Sequence, residues 1–280
     1  MTTPRKILRS KGIRPLKRLG QTFLDDRNMI EKVIAVLDVQ RDDVVIEIGA
    51  GTGIMTEEIA KKAFKVVAIE IDPYLINILK ERLSGYHNVD IVHADVLNFD
   101  FSSIHSLLPS GKVKIIGNIP YHISSQILFR LIDYRDNISF MVLMFQKELA
   151  DRICAYPGSK IYGIPSVLVD MYTVCSCELN VPGQCFYPKP KVTSSVLKLV
   201  IRDRPKIDIK DHAFFIKIVR LAFSKRRKVL FNNLRGLLEQ GYSEEEINEA
   251  LQNSGVDGRK RGETLAAVEL GALSNALLRL

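Results

Sequence analysis

The apolar run Val44–Ile48 opens directly into Gly49, Ala50, Gly51, Thr52 and Gly53, and helical periodicity begins at once, near Met55. Glycines in a turn from strand to helix permit a tight bend and let backbone approach a ligand closely. The same alternation then recurs. A strand-like run at Val66–Ile71 leads to a helical stretch from Pro73 to Leu83, then to strand-like Val89–Val92. Lys112–Ile116 and Ser139–Phe145 continue the series around a helix predicted from Ser124 to Leu131. Apolar runs separated by helices predict a parallel sheet covered on both faces. Asp25 and Asp26 offer a cap to a helix carrying Ile30, Val33, Ile34 and Leu37 at helical spacing.

Beyond Lys147 the pattern loosens. A helix through Ile164–Val169, a strand over Tyr172–Leu179 and a last strand at Val196–Ile201 are predicted, with extended FYPKPK (186–191) between the last two. After Arg204 and Pro205 the character is helical: Phe214, Phe215, Ile218, Val219 and Ala222 share a face, Ser243 and Glu246 form a capping box, and a final helix runs from about Thr264 to Leu278. A domain boundary is placed near residue 205. Four cysteines without a dense spacing fit a reducing cytosol rather than a disulfide scaffold, and the Cys175/Cys177 pair lacks companions at metal-ligand spacing. The longest apolar run, Ile138–Phe145, is too short to cross a bilayer.

Charge is unevenly placed. Residues 1–20 hold seven Lys/Arg and no acid, and residues 186–235 hold fourteen against three, whereas the whole chain nets only +8. The remainder is therefore acidic. Cations gathered in two stretches suit a polyanion such as nucleic acid. The first twenty residues read as a flexible basic arm, or as a short organelle transit peptide.

The glycine turn alone is compatible with a purely structural bend. Glu70 and Asp72, about twenty residues on at the end of the second strand, add a group able to accept ribose hydroxyls, which both nicotinamide cofactors and S-adenosylmethionine satisfy. The third strand ends in His93, Ala94, Asp95, and the fourth in Gly117, Asn118, Ile119, Pro120, Tyr121. Asn-x-Pro-Tyr after a strand places an amide oxygen, a carbonyl and an aromatic ring at the sheet edge where ligands bind. Those groups can hold an exocyclic amine and stack on its base.

With EIGAGTG (47–53), EID (70–72), HAD (93–95) and NIPY (118–121), the chain resembles the class I S-adenosylmethionine-dependent N6-adenine methyltransferases, and within them the KsgA/RsmA family of small-subunit ribosomal RNA adenine dimethyltransferases. LGQTFL (19–24), FQKELADR (145–152), SKIYG (159–163), FYPKPKV (186–192), AFSKRRKVLFNNL (222–234) and RGETL (261–265) extend the resemblance over nearly the whole chain. It implies a Rossmann-like α/β domain with a mostly parallel seven-stranded sheet over 25–205, preceded by a basic arm and cofactor-covering motif over 1–24. A small helical RNA-binding domain over 206–280 follows.

The implied reaction is transfer of methyl groups from S-adenosylmethionine to N6 of two adjacent adenines in the 3′-terminal hairpin of 16S ribosomal RNA, without a metal. The implied setting is a cytoplasmic monomer acting on the small ribosomal subunit. The resemblance gives Gly49, Gly51 and Gly53 the methionine part of the cofactor, Glu70 its ribose and Asp95 its adenine. Gln21, Thr22 and Leu24 lie over it, with Thr22 where the family has Asn. Asn118 and Tyr121 hold the target base, Asn118 also bordering the cofactor, and Phe186 faces the base from the other side. Lys225, Arg226, Arg227 and Lys228, read as a patch on a helix, and Lys189 and Lys191 at the site edge, contact RNA phosphates. Three alternatives stand: a resistance-type large-subunit ribosomal RNA methyltransferase, a non-catalytic ribosome-assembly or organelle transcription factor, and a nicotinamide dehydrogenase.

Overall fold

The computed structural model describes residues 3–103 and 111–278. The chain forms two compact units, one built from the chain up to Ala150 with Cys175–Ile201, the other from Asp151–Val174 and the chain from Arg202 on.

The first unit contains, in order, α1 (Pro4–Ser10), β1 (Phe23–Leu24), α2 (Arg27–Leu37), β2 (Val44–Ile48), α3 (Ile54–Ala60), β3 (Lys65–Glu70), α4 (Pro73–Arg82), β4 (Val89–His93), β5 (Val113–Asn118), α5 (Ser124–Asp133) and β6 (Ile138–Gln146). The chain leaves this unit along α6 (Lys147–Ile153), forms α7 (Ile164–Tyr172), and returns through β7 (Thr173–Val181), β8 (Phe186–Tyr187) and β9 (Ser194–Ile201). The second unit is completed by α8 (His212–Ala222), α9 (Leu230–Leu234), α10 (Glu244–Ser254) and α11 (Ala267–Leu277).

Seven strands form one sheet in the order β4-β3-β2-β5-β6-β9-β7. The pairs β2–β3, β2–β5, β3–β4 and β5–β6 are parallel, and β6–β9 is antiparallel. All five residues of β2 are buried, as expected for a strand covered on both faces. The direction of winding reverses between β2 and β5, which opens a crevice beyond their C-terminal ends. Helix α2 buries the predicted stripe Ile30, Val33, Ile34 and Leu37, and Asp26 caps it by accepting the Met29 N–H at 2.9 Å. Such a cap contributes about 1 kcal/mol, and burying each of those side chains roughly 1.5–3 kcal/mol. Among the described residues no helix is long and apolar enough to cross a membrane.

Two expectations change. The basic N-terminal stretch is not a free arm. Pro4 presets the first helical turn of α1, and Ile7 and Leu8 bury against Phe23, Leu75 and Ile78. The Arg5 N–H donates to Asp25 at 2.8 Å, and Lys11 pairs with Glu81 at 2.6 Å. The proposed boundary at 205 also shifts, because residues 151–174 belong with the helical unit. There, Lys206 bonds Asp170 at 2.5 Å, and Gly271 on α11 lets Met171 approach. Terminal residues 1, 2, 279 and 280 of the proposed domains lie outside the described residues.

Candidate active site

The crevice is organised by the turn after β2. Gly49 and Ala50 donate their N–H groups to the Ile69 carbonyl at 2.9 and 3.2 Å, tying the turn to β3. Gly51 has φ +60°, a conformation that disfavours side chains, and a Cβ there would lie 3.2 Å from the Phe23 ring. Phe23 therefore roofs bare backbone. Gly51 donates to Glu70 Oε2 at 2.9 Å, while Glu70 Oε1 accepts the N–H groups of Ile71 and Asp72, each at 2.9 Å. Burial raises the Glu70 carboxyl above its ordinary pKa, and the three N–H donors oppose that shift.

The LGQTFL segment is stitched across this crevice. Gln21 donates to Asp72 at 2.7 Å and accepts the Leu16 N–H at 2.7 Å, so both ends of its amide are engaged as a strap. Asn118, at the end of β5, donates Nδ2 to the Thr22 carbonyl at 2.6 Å. That bond commits the amide nitrogen and leaves Oδ1 to act as an acceptor. Because Thr22 contributes its backbone, the exchange of Asn for Thr leaves this contact unaffected. The Pro120 carbonyl is taken by Ser124 Oγ at 2.9 Å and the Ile123 N–H at 3.2 Å.

A cavity of about 300 Å³ results, walled by Gln21, Thr22, Leu24, Gly49, Gly51, Glu70, Asp95 and Asn118 among the expected residues. Asp95 accepts the Leu97 N–H through Oδ1 at 2.9 Å, a local turn that fixes its carboxylate. Three expected residues are not in the walls. Gly53 instead precedes α3 as its cap, where a Cβ would lie 2.8 Å from Leu79 Cδ2, so its bareness serves helix packing. The Tyr121 hydroxyl shares a 2.9 Å hydrogen bond with Ser194 Oγ. Phe186 is 4% exposed and packs in the core with Leu24, Val181 and Cys185. Burial of apolar ring area accounts for that position.

Sequence reasoning gave Glu47 no role. It lines the cavity, is 0% exposed, and among the described residues neither carboxyl oxygen has a hydrogen-bond partner, nor does the buried Thr56 hydroxyl. Desolvation pushes its pKa from 4.5 to about 8. Burial dominates, Glu70 adds to the shift, and the neighbouring Thr56 hydroxyl opposes it without reaching hydrogen-bond geometry. An acid within the otherwise apolar run VVIEI was the available signal. An orphaned carboxyl beside bare glycine backbone, with Glu70 at the end of β3 and Asp95 just beyond β4, fits S-adenosylmethionine, a cationic ligand with an adenosine moiety.

Lys189 and Lys191 are exposed beyond β8. Lys225–Lys228 lie in a turn rather than on a helix. Buried Asn233 donates to the carbonyls of Ala222 at 2.8 Å and Lys225 at 3.3 Å, satisfying groups that a continued α8 would have used. Arg226, half exposed, bonds the Lys160 carbonyl at 2.7 Å and pairs with Glu263 at 3.0 Å. SKIYG, AFSKRRK and RGETL therefore meet at one point of the helical unit. Gly262 is required there, since a Cβ would lie 2.3 Å from the Ala222 carbonyl oxygen.

Residues 14–272 match the family described as "Ribosomal RNA adenine dimethylase". The chain is 45% identical over 277 residues to "Ribosomal RNA small subunit methyltransferase A" of Syntrophus aciditrophicus, covering 99% of each. It is 42% identical over 277 residues to the protein of the same name from Moorella thermoacetica, covering 97% of this chain and 95% of that one. Among solved structures, a dimethyladenosine transferase from Plasmodium falciparum aligns with a TM-score of 0.77 at 27% identity, over 89% of this chain and 95% of that one. The 23S rRNA methyltransferase ErmE aligns with a TM-score of 0.64 at 26% identity, over 91% and 99%.

Proposed function

Because the chain belongs to the ribosomal RNA adenine dimethylase family, we propose that it dimethylates N6 of two adjacent adenines in the 3′-terminal hairpin of 16S ribosomal RNA, using S-adenosylmethionine. We propose further that it acts as a monomer in the cytoplasm. The observation that carries the chemistry is the Asn118 amide, held through Nδ2 by the Thr22 carbonyl at the lip of the cavity.

When bound, S-adenosylmethionine supplies a methyl group on a positively charged sulfur. Gly49 and Gly51 present backbone to its methionine part, Glu70 accepts from its ribose and Asp95 from its adenine amine. The amine of the target base has a lone pair conjugated with the ring. Asn118 Oδ1 and the Ile119 carbonyl accept its two N–H bonds and turn the lone pair toward the cavity, a contribution of positioning and electrostatics. Tyr121 supplies the adjoining aromatic surface. No side chain is assigned as a base, because the proton becomes acidic once the fourth bond to nitrogen forms and can pass to solvent. Lys189, Lys191, Lys225, Arg227 and Lys228 hold RNA phosphates.

The test supplies the protein and tritiated S-adenosylmethionine with small and large ribosomal subunits lacking the modification, followed by nuclease mapping. N6,N6-dimethyladenosine in the small-subunit 3′ hairpin is expected. Label in large-subunit RNA would overturn the substrate assignment, and subunit binding without label would overturn the catalytic one.

A further inference from the structure

The helical unit carries an exposed aromatic that the reaction does not use. Tyr156 is 73% exposed and Ile161, five residues on, is 43% exposed. Side chains of this kind are usually scattered and uninformative. Here the segment between them is fastened from two sides. The Gly158 N–H donates to the Glu263 carbonyl at 2.8 Å, and the Arg226 guanidinium donates to the Lys160 carbonyl at 2.7 Å. The Ser159 N–H closes a turn onto the Tyr156 carbonyl at 3.2 Å, and Tyr162 is buried with its ring against Phe223, centroids 5.9 Å apart. A segment fixed in this way presents its apolar groups without the ordering penalty a loose loop would incur on binding.

Its electrostatic setting points to one occupant. The anchor Arg226 sits in the turn that exposes Lys225, Arg227 and Lys228, and Lys160 is exposed on the fastened segment itself. Glu263, the acid that meets this segment, is already paired with Arg226. A flat exposed ring flanked by unneutralised cations matches a nucleobase with its flanking phosphates.

We propose that Tyr156 is a base-stacking contact for an unpaired nucleotide of the RNA substrate, with Lys160 and the Lys225–Lys228 turn holding the adjacent phosphates. The proposal rests on the RNA substrate assigned above, and adds a stacking element to the charge contacts. Arg226 is then a positioning residue, which acts by holding the segment.

The test titrates the full-length protein into a fluorescently labelled short single-stranded RNA and follows anisotropy across a salt series. In parallel it measures kcat and KM for unmodified small subunits. Tyr156→Ala should weaken RNA binding about tenfold, with an unchanged salt slope and thermal midpoint, and Tyr156→Phe should restore affinity. Lys160→Ala should instead lower the slope by about 0.7. On subunits, Tyr156→Ala should raise KM and leave kcat in place. Equal dissociation constants for wild type and Tyr156→Ala, or no binding of this RNA by either, overturn the proposal. Absence of methyl transfer by the wild type would refute the substrate assignment instead, and the RNA titration would still decide the role of Tyr156.

Discussion

Replacing Glu47 with glutamine should stabilise the ligand-free protein, by an amount that grows with pH. In the unfolded chain this carboxyl titrates near 4.5, and in the folded protein near 8. Below the lower value both states hold the proton, and folding is indifferent to it. Between the two values the unfolded chain has released the proton while the folded protein keeps it, so rising pH draws the equilibrium toward unfolding. Above about 8 the penalty levels off. At about 1.4 kcal/mol per pH unit, the full gap corresponds to about 5 kcal/mol. Glutamine preserves the shape of the side chain and cannot ionise. Urea unfolding of both proteins should show a stability difference about 4 kcal/mol larger at pH 8.5 than at pH 5, because groups common to both cancel. A difference that stays constant across that range would refute the reasoning, since it would mean that Glu47 ionises equally in both states.

Asn118→Ala should lower methyl transfer about a hundredfold or more, a far larger loss than that of S-adenosylmethionine binding measured by calorimetry; near-normal turnover would remove its role. Arg227→Gln should flatten the salt dependence of duplex RNA binding by about one unit, whereas Arg226→Gln should leave the slope almost unchanged and lower the thermal midpoint, because its charge is spent on Glu263. Gly262→Ala should destabilise the protein by about 1–3 kcal/mol in denaturant unfolding, as its Cβ would drive into the Ala222 carbonyl. Deleting the chain through Ser10 should weaken S-adenosylmethionine binding several-fold by calorimetry, since Pro4 walls the cavity and Ile7 and Leu8 support Phe23.

The central strands were readable because buried parallel strands are written as continuous apolar runs, such as VVIEI at 44–48 and KVVAIE at 65–70. Helix α2 announced itself through its cap and stripe. Helix α1 did not, since Ile7 and Leu8 alone establish no period, and their burial depends on Leu75 and Ile78, far along the chain. The turn at Lys225–Lys228 was hidden for a related reason: it contains no glycine or proline, and the group that stops α8 is Asn233, eight residues beyond Lys225. Within the site, Glu70, Asp95 and Asn118 were legible from their positions at strand ends. The strap formed by Gln21, the use of the Thr22 backbone and the core position of Phe186 depend on which distant segments meet, and residue type does not encode that.

Strand β1 pairs residues 23 and 24 with 187 and 186, a separation of about 160 residues, and the neighbouring Thr22 carbonyl is joined to Asn118. During synthesis, the segment that leaves the ribosome first can therefore dock on α4 and on Asn118 well before its strand partner at 186 and 187 exists. Until then the cover over the glycine turn lacks its strand partner. Such long-range closure slows folding, and it means a nascent or truncated chain ending before Phe186 can hold every wall residue of the methyl-donor cavity and still lack the strand pairing that fastens its cover.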